Sequence, residues 1–226
     1  MTSQCLSFGH SQSRVVVIDG VSQAIGQVRE LAAALAPFPP AGNYYPGVRR
    51  PLTSEDSAAH AYVENLLRAG TPFIRDVFSF EHFRMLEASF SMITLAPECL
   101  SVNQRVPHFD DTDPNYLALL HYLGPASGTG TAFYRHRATG IECVTAANVD
   151  ALISVLKLES LSWDRPGYIT RSDEFFEQIG QIDSVPDRLA IYQGCLLHSG
   201  IIRPDLNLSD DPVTGRLTAN LFIRGY

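Results

Sequence analysis

Apolar positions divide the chain into a helix-patterned first part and a strand-patterned remainder. "RVVVIDG" (14–20) is an unbroken apolar run closed by glycine, the signature of a buried strand. "SQAIGQVRELAAALA" (22–36) shifts to helical spacing with Ala- and Leu-rich propensity. "PFPPAGNYYPGVRR" (37–50) holds four prolines and two glycines, which predicts a loop. "TSEDSAAHAYVENLLRAG" (53–70) reads as a helix capped by Thr53 or Ser54 and ended by Gly70. From "FSMITLA" (90–96) onward the pattern is strand-like: "RVPHFD" (105–110), "YLALLHYLG" (116–124), "GTAFYRHR" (130–137), "YITR" (168–171), "RLAIYQGCLLHSG" (188–200) and "RLTANLFIR" (216–224). One helical segment, 144–162, interrupts them. Helices early and strands late predict a mainly β, α+β chain whose late antiparallel sheet or barrel is closed by the helices. The expected organisation is one domain over 1–226. Residues 14–92 supply helical support and entry strands, and 93–226 form the barrel with a helical insert near 144–162.

Composition narrows the function classes. Hydrophobic residues make up 45% and charged residues 18%, enough for a sizeable core and against disorder. The formal charge is −7 and no basic run exceeds the pair Arg49-Arg50, which excludes the usual phosphate-backbone partner. No run approaches the ~18 apolar residues of a membrane span. "MTSQCLSFGHSQSR" lacks the charged start and apolar run of a signal peptide. Cys5, Cys99, Cys143 and Cys195 form no CxxC pair. They are expected as reduced thiols of a cytoplasmic protein, with Cys195 a small core residue.

The densest chemistry lies in "VPHFDDTDPNYLALLHYLG" (106–124). His108 and Asp110 are two apart, so on an extended chain both side chains reach one point while Phe109 turns away. On the pair alone, a turn-forming Asp110 and a surface His108 are an equally good reading. His198, ending an apolar strand before Gly200, supplies a distant third ligand. Two histidines and a carboxylate form a facial triad with open positions, which suits non-haem Fe(II) better than structural zinc. Arg216 and Thr218 share a face of the last strand, where a guanidinium fork beside a hydroxyl can grip a carboxylate. Asp111 and Asp113 fit a loop, and a calcium loop fails because Tyr116 stands where glycine is needed. There is no GxSxG and no P-loop. His121 should face away from the Tyr122 side of its strand, and His60 and His82 should be solvated. Arg49 in the proline-rich loop, with Arg135 and His136, are candidate substrate contacts.

The order His108-x-Asp110, apolar strand "LLHYLG", "GTGTAFY", a late His198 strand and Arg216-x-Thr218 resembles the Fe(II)/2-oxoglutarate-dependent oxygenases. Within them it is most similar to the prolyl-4-hydroxylase-like branch. "VVVIDGVSQAIGQVRELAAAL" resembles that branch's entry strand and helix, and "YYPGVRR…HFD…FYRHR…HSG" resembles uncharacterised bacterial oxygenase-like families. The resemblance covers roughly residues 14–226; residues 138–186 match nothing in it. It implies a double-stranded β-helix (jelly-roll) barrel. It implies Fe(II) on His108, Asp110 and His198. The distal carboxylate of 2-oxoglutarate would lie on Arg216, with help from Tyr122 and Thr218, and O2 would be the oxidant. The implied reaction oxidises a C–H bond of a small molecule or an amino-acid or peptide substrate. With Asp110 present, hydroxylation, desaturation or cyclisation is favoured over halogenation. The rival expectations are a cupin-like metalloenzyme that does not use 2-oxoglutarate and a non-catalytic metal- or ligand-binding jelly roll.

Overall fold

The computed structural model describes residues 1–42, 44–124, 128–163 and 166–226; position 43 of the expected loop lies outside them. In chain order the elements are β1 (Thr2–Phe8), β2 (Ser13–Asp19), α1 (Ile25–Ala34), β3 (Gly47–Pro51), α2 (Ser57–Phe78), β4 (Phe83–Ile93) and β5 (Tyr116–Tyr122). These are followed by β6 (Gly130–His136), α3 (Val149–Glu159), β7 (Phe176–Asp183), β8 (Arg188–Gln193), β9 (His198–Ile201) and β10 (Leu217–Gly225). A seven-stranded sheet runs β1-β2-β8-β5-β10-β4-β3, and a three-stranded sheet runs β7-β6-β9. Every strand pairing is antiparallel. The architecture is a double-stranded β-helix.

Side-chain parity explains the unbroken apolar runs. Val16, Ile18, Leu117, Leu119, Leu189 and Ile191 join a cluster with Val28 of α1 and with Tyr62, Leu66 and Ile74 of α2. Their neighbours Val15, Val17, Ala118, Tyr122, Ala190 and Tyr192 face inward with Phe133 of β6 and Ile182 of β7. The larger sheet is therefore covered on one face by helices and on the other by the smaller sheet, so alternation disappears from its central strands. A third cluster packs α3 through Leu152 against Ala132, Tyr134, Phe176 and Ile201.

Several expectations need correction. Helix α2 is not stopped by Gly70 but runs on to Phe78, through Pro72. Gly70 lies where the helix meets the sheet: a Cβ there would stand 3.3 Å from Ile191 Cδ1. Its cap residue is Asp56 rather than Thr53 or Ser54, with no side-chain capping bond. The proline-rich loop yields an edge strand, β3, because its residues 47–51 can pair with β4. Segments 105–110 and 168–171 are not strands; the first contributes only the isolated bridge between His108 and His198. Strand β1 was not foreseen because it is a mostly exposed edge whose apolar face is limited to Leu6 and Phe8.

Cys143 and Cys195 are not reduced thiols but form a disulfide, with Cα atoms 5.0 Å apart. The residues around them are brought together by backbone pairing that sequence spacing does not display: Val144 N donates to Cys195 O at 2.7 Å and Leu197 N to Glu142 O at 2.8 Å. Cys5 and Cys99 remain free and exposed. The cytoplasmic expectation thereby loses the cysteine argument it rested on. Among the described residues no helix is long and apolar enough to cross a membrane.

His121 does face the helices, as parity requires, and it is fully buried. Tyr62 OH lies 2.7 Å from its Nδ1, and Asp187 Oδ1 lies 3.0 Å from its Nε2. Asp187 also accepts from the Ser22 hydroxyl at 2.6 Å and from the backbone N–H of Ser22 and Gln23, each at 3.0 Å. This network ties β5 to α2 and to the entrance of α1. Burial pushes the Asp187 carboxyl up, but the bonds from His121 and Ser22 outweigh it and hold it at about 2.

Candidate functional site

The segment entering β5 is held by backbone bonds to the β8–β9 connection. His108 and His198 exchange N–H···O bonds of 2.9 and 2.8 Å. Asp110 N donates to Gly194 O at 2.7 Å, and Gly194 N to Tyr116 O at 2.8 Å. Gly194 is required for this close approach, since a Cβ would stand 2.6 Å from Tyr116 Cδ1 and 3.2 Å from Asp110 Cβ. His108 and Asp110 thus converge with His198 without belonging to a strand.

One ligand-grade atom from each of His108, Asp110 and His198 lies within 4.8 Å of the others. Asp110 Oδ1 is 3.9 Å from His108 Nε2, and Asp110 Oδ2 is 3.6 Å from His198 Nε2. His198 Nδ1 is bonded to Leu196 O at 2.7 Å, which places the proton on Nδ1 and leaves Nε2 a bare donor toward the cluster. Asp110 Oδ2 is buried and, among the described residues, accepts no hydrogen bond. Burial raises the Asp110 carboxyl above its ordinary range. His108 meets the cleft over 55% of its side chain, but the surrounding walls desolvate it. That desolvation, with His198 and Arg49 adding, lowers it to about 3. An unsatisfied carboxylate oxygen between two imidazole nitrogens fits a divalent cation.

The three residues line a cleft of about 440 Å³ that also contains Arg216, Thr218, Thr131, Tyr45 and Arg49. Arg216 is 5% exposed. Its Nη2 donates to Gly130 O at 3.1 Å, and its Nε has no partner among the described residues. Thr218 pairs with Tyr122 across β10 and β5 and with Ser91 across β10 and β4. Tyr122 itself does not line the cleft: its hydroxyl is 2.7 Å from Thr131 Oγ1, and Thr131 forms the wall. Arg203, another late arginine, is paired with Asp205 at 2.7 Å and is half exposed.

Arg49 enters from β3. Its Nε donates to Ser91 Oγ at 3.2 Å, its Nη1 is 3.6 Å from Glu87, and its guanidinium lies 4.7 Å from the Tyr45 ring centroid. Burial raises the Tyr45 hydroxyl, while Arg216 and Arg49 both pull it down. Arg135 and His136 are elsewhere. Arg135 bonds Glu142 and Glu177 at 3.1 and 2.6 Å, and neither it nor His136 lines the cleft. His136 is fully buried, with Thr139 and Glu159 at 2.9 and 2.8 Å. Sequence reasoning missed Tyr45, Thr131 and Ser91. Their types carry no ligand signal, and only the β3–β4–β10 register sets Ser91 opposite Arg49 and Thr218.

A family model described as "Family of unknown function (DUF6445)" matches residues 1–223. No curated protein matches the sequence. Among solved structures, HygX from Streptomyces hygroscopicus with nickel and 2-oxoglutarate bound aligns with a TM-score of 0.59 at 16% identity, over 95% of this chain and 84% of that one. The non-heme alpha ketoglutarate dependent epimerase SnoN from nogalamycin biosynthesis aligns with a TM-score of 0.55 at 10% identity, over 96% and 79%. A Pseudomonas putida prolyl-4-hydroxylase aligns with a TM-score of 0.50 at 13% identity, over 96% and 95%. At these identities the likeness is one of fold.

Proposed function

The chain belongs to the DUF6445 family, and from that premise we propose that it is a non-haem Fe(II), 2-oxoglutarate-dependent oxygenase. Its whole length would act as one oxygenase domain on a C–H bond of a small molecule or an amino-acid or peptide substrate. The observation that carries the reading is the placement of three convergent ligand atoms and a buried arginine in one cleft. The HygX structures with iron, or with nickel and 2-oxoglutarate, support it by fold. The order of the motifs supports a place near the prolyl-4-hydroxylase-like branch.

His108, Asp110 and His198 would hold the metal. Asp110 contributes the one negative charge, and Leu196 O keeps His198 in the tautomer with a bare Nε2. Bound there with 2-oxoglutarate and O2, Fe(II) would supply the oxidising chemistry of this class, in which 2-oxoglutarate yields succinate and CO2 while a substrate C–H bond is oxidised. Arg216, already desolvated, would bind the distal carboxylate through its unpartnered Nε, with the Thr218 and Thr131 hydroxyls beside it. Tyr122 would orient Thr131 rather than touch the ligand. Tyr192, 3% exposed, walls the metal side and excludes water. Arg49 and Glu87, at the cleft's open side, would meet the substrate.

The test is uncoupled turnover. Purified protein with Fe(II), ascorbate and O2 should convert 2-oxoglutarate to succinate, and His198→Ala should not. Absence of succinate together with absence of 2-oxoglutarate binding to the metal-loaded protein sinks the reading.

A further inference from the structure

We propose that the Cys143–Cys195 disulfide is a positioning element of the candidate metal centre, so that metal affinity depends on the redox state of this cysteine pair. The inference rests on the metal reading of His108, Asp110 and His198. Cys195 is fully buried in the turn between β8 and β9. The carbonyls on either side of it each orient a ligand. Gly194 O accepts from Asp110 N at 2.7 Å, and Leu196 O accepts from His198 Nδ1 at 2.7 Å. Two of the three candidate ligands are thus aimed by one short turn.

The disulfide fastens that turn to a segment that is itself anchored. Cys143 forms an isolated β-bridge with Leu196. The neighbouring Glu142 is nearly buried. It accepts from His10 N at 2.9 Å and Ser11 N at 3.0 Å, and pairs with Arg135 at 3.1 Å. Burial pushes the Glu142 carboxyl up, but the backbone bonds from Ser11 and His10 outweigh it, so it stays ionised and clamped. The β1–β2 hairpin tip, Glu142, the disulfide and the ligand-bearing turn form one continuous chain of contacts.

Reduction by a phosphine breaks the S–S bond: the phosphine is oxidised to its oxide with water's oxygen, and water's two hydrogens leave two thiols. Bonded sulfurs lie about 2.05 Å apart, whereas non-bonded heavy atoms need roughly 3.5 Å or more, so the pair must separate by over an ångström. Cys195 is fully buried in the ligand-bearing turn, so separation of the sulfurs bears on that turn as well as on Cys143. A metal constellation tolerates displacements of only about 0.5 Å. Loss of an outer partner that orients a ligand typically lowers metal affinity about 10- to 100-fold. Cys143 is the less buried of the two cysteines.

The experiment uses Cys5→Ser/Cys99→Ser protein, so that Cys143 and Cys195 are the remaining thiols. Co(II), inert toward the disulfide, is titrated anaerobically and followed by its visible absorption. The oxidised protein is compared with protein reduced by a phosphine that is then removed. The expected result is about 10- to 100-fold weaker Co(II) binding after reduction, unchanged far-ultraviolet circular dichroism, and recovery on reoxidation. Cys143→Ser should bind weakly under both conditions. Equal Co(II) affinity in the oxidised, reduced and Cys143→Ser proteins overturns the inference, as does a thiol count showing no disulfide after oxidation. Failure of the oxidised protein to bind Co(II) at all overturns the metal reading, and this inference with it.

Discussion

His108 and His198 are locked to each other through their backbones: each donates its N–H to the other's carbonyl, at 2.9 and 2.8 Å. The side chains play no part in that register, and their rings meet 4.3 Å apart at the mouth of the cleft. Truncating either ring should therefore remove a ligand without unpairing the chain. His198→Ala should lose most Fe(II) binding in an anaerobic titration while retaining the circular dichroism of the wild type. Equal Fe(II) affinity of His198→Ala and wild type would show that the triad is misassigned.

Arg216 and Arg203 offer a paired comparison. Truncating one partner of a buried, hydrogen-bonded charge pair costs about 2–5 kcal/mol, which at about 1.4 kcal/mol per tenfold is at least ~30-fold in affinity. Arg216→Ala should weaken 2-oxoglutarate binding by that much or more and spare Fe(II). Arg203→Ala removes an exposed, solvent-screened pair with Asp205 and should change binding only a few fold. Tyr122→Phe, which frees Thr131 but removes no charge, should fall between. The readout is 2-oxoglutarate titrated into each Fe(II)-loaded protein, and a reversed order of the two arginines contradicts the placement of the anchor.

Acid should weaken the helix–sheet junction in two stages. Burial lowers His121 in the folded state, so it stays neutral while the unfolded chain takes up a proton below about 6.5. Its contribution is complete above that pH and declines as the pH falls. Asp187, held at about 2, contributes above its unfolded value near 3.8 and is lost as the pH drops from there toward 2. Urea denaturation of the metal-free protein should therefore show stability falling from pH 7 to pH 5, and His121→Gln should reduce that slope to the part that His108, also lowered in the folded state, contributes. Parallel slopes for the two proteins would remove His121 from the account.

Much of this was legible in the sequence, for identifiable reasons. "RVVVIDG" and "YLALLHYLG" announce strands because both faces of the larger sheet are covered, and the His108-x-Asp110 spacing survives even though the segment is not a strand. Gly70 misled because glycine also serves close packing, here against Ile191. Arg135 carried ligand-grade chemistry into structural ion pairs with Glu142 and Glu177, and His136 into a buried hydrogen bond with Glu159. Thr131, Ser91 and Tyr45 escaped notice because their role comes from register and long-range packing. The Cys143–Cys195 bond is likewise a product of tertiary pairing across a sequence separation of 52.

The central claim is that one cleft would hold both Fe(II), on His108, Asp110 and His198, and 2-oxoglutarate, anchored by Arg216. Anaerobic addition of 2-oxoglutarate to the Fe(II)-loaded protein tests it directly through the visible charge-transfer band that chelation of the metal produces. The account predicts a saturable band in the wild type, a right-shifted titration in Arg216→Ala and no band in His198→Ala. A wild-type protein that binds Fe(II) yet develops no band at saturating 2-oxoglutarate would contradict it.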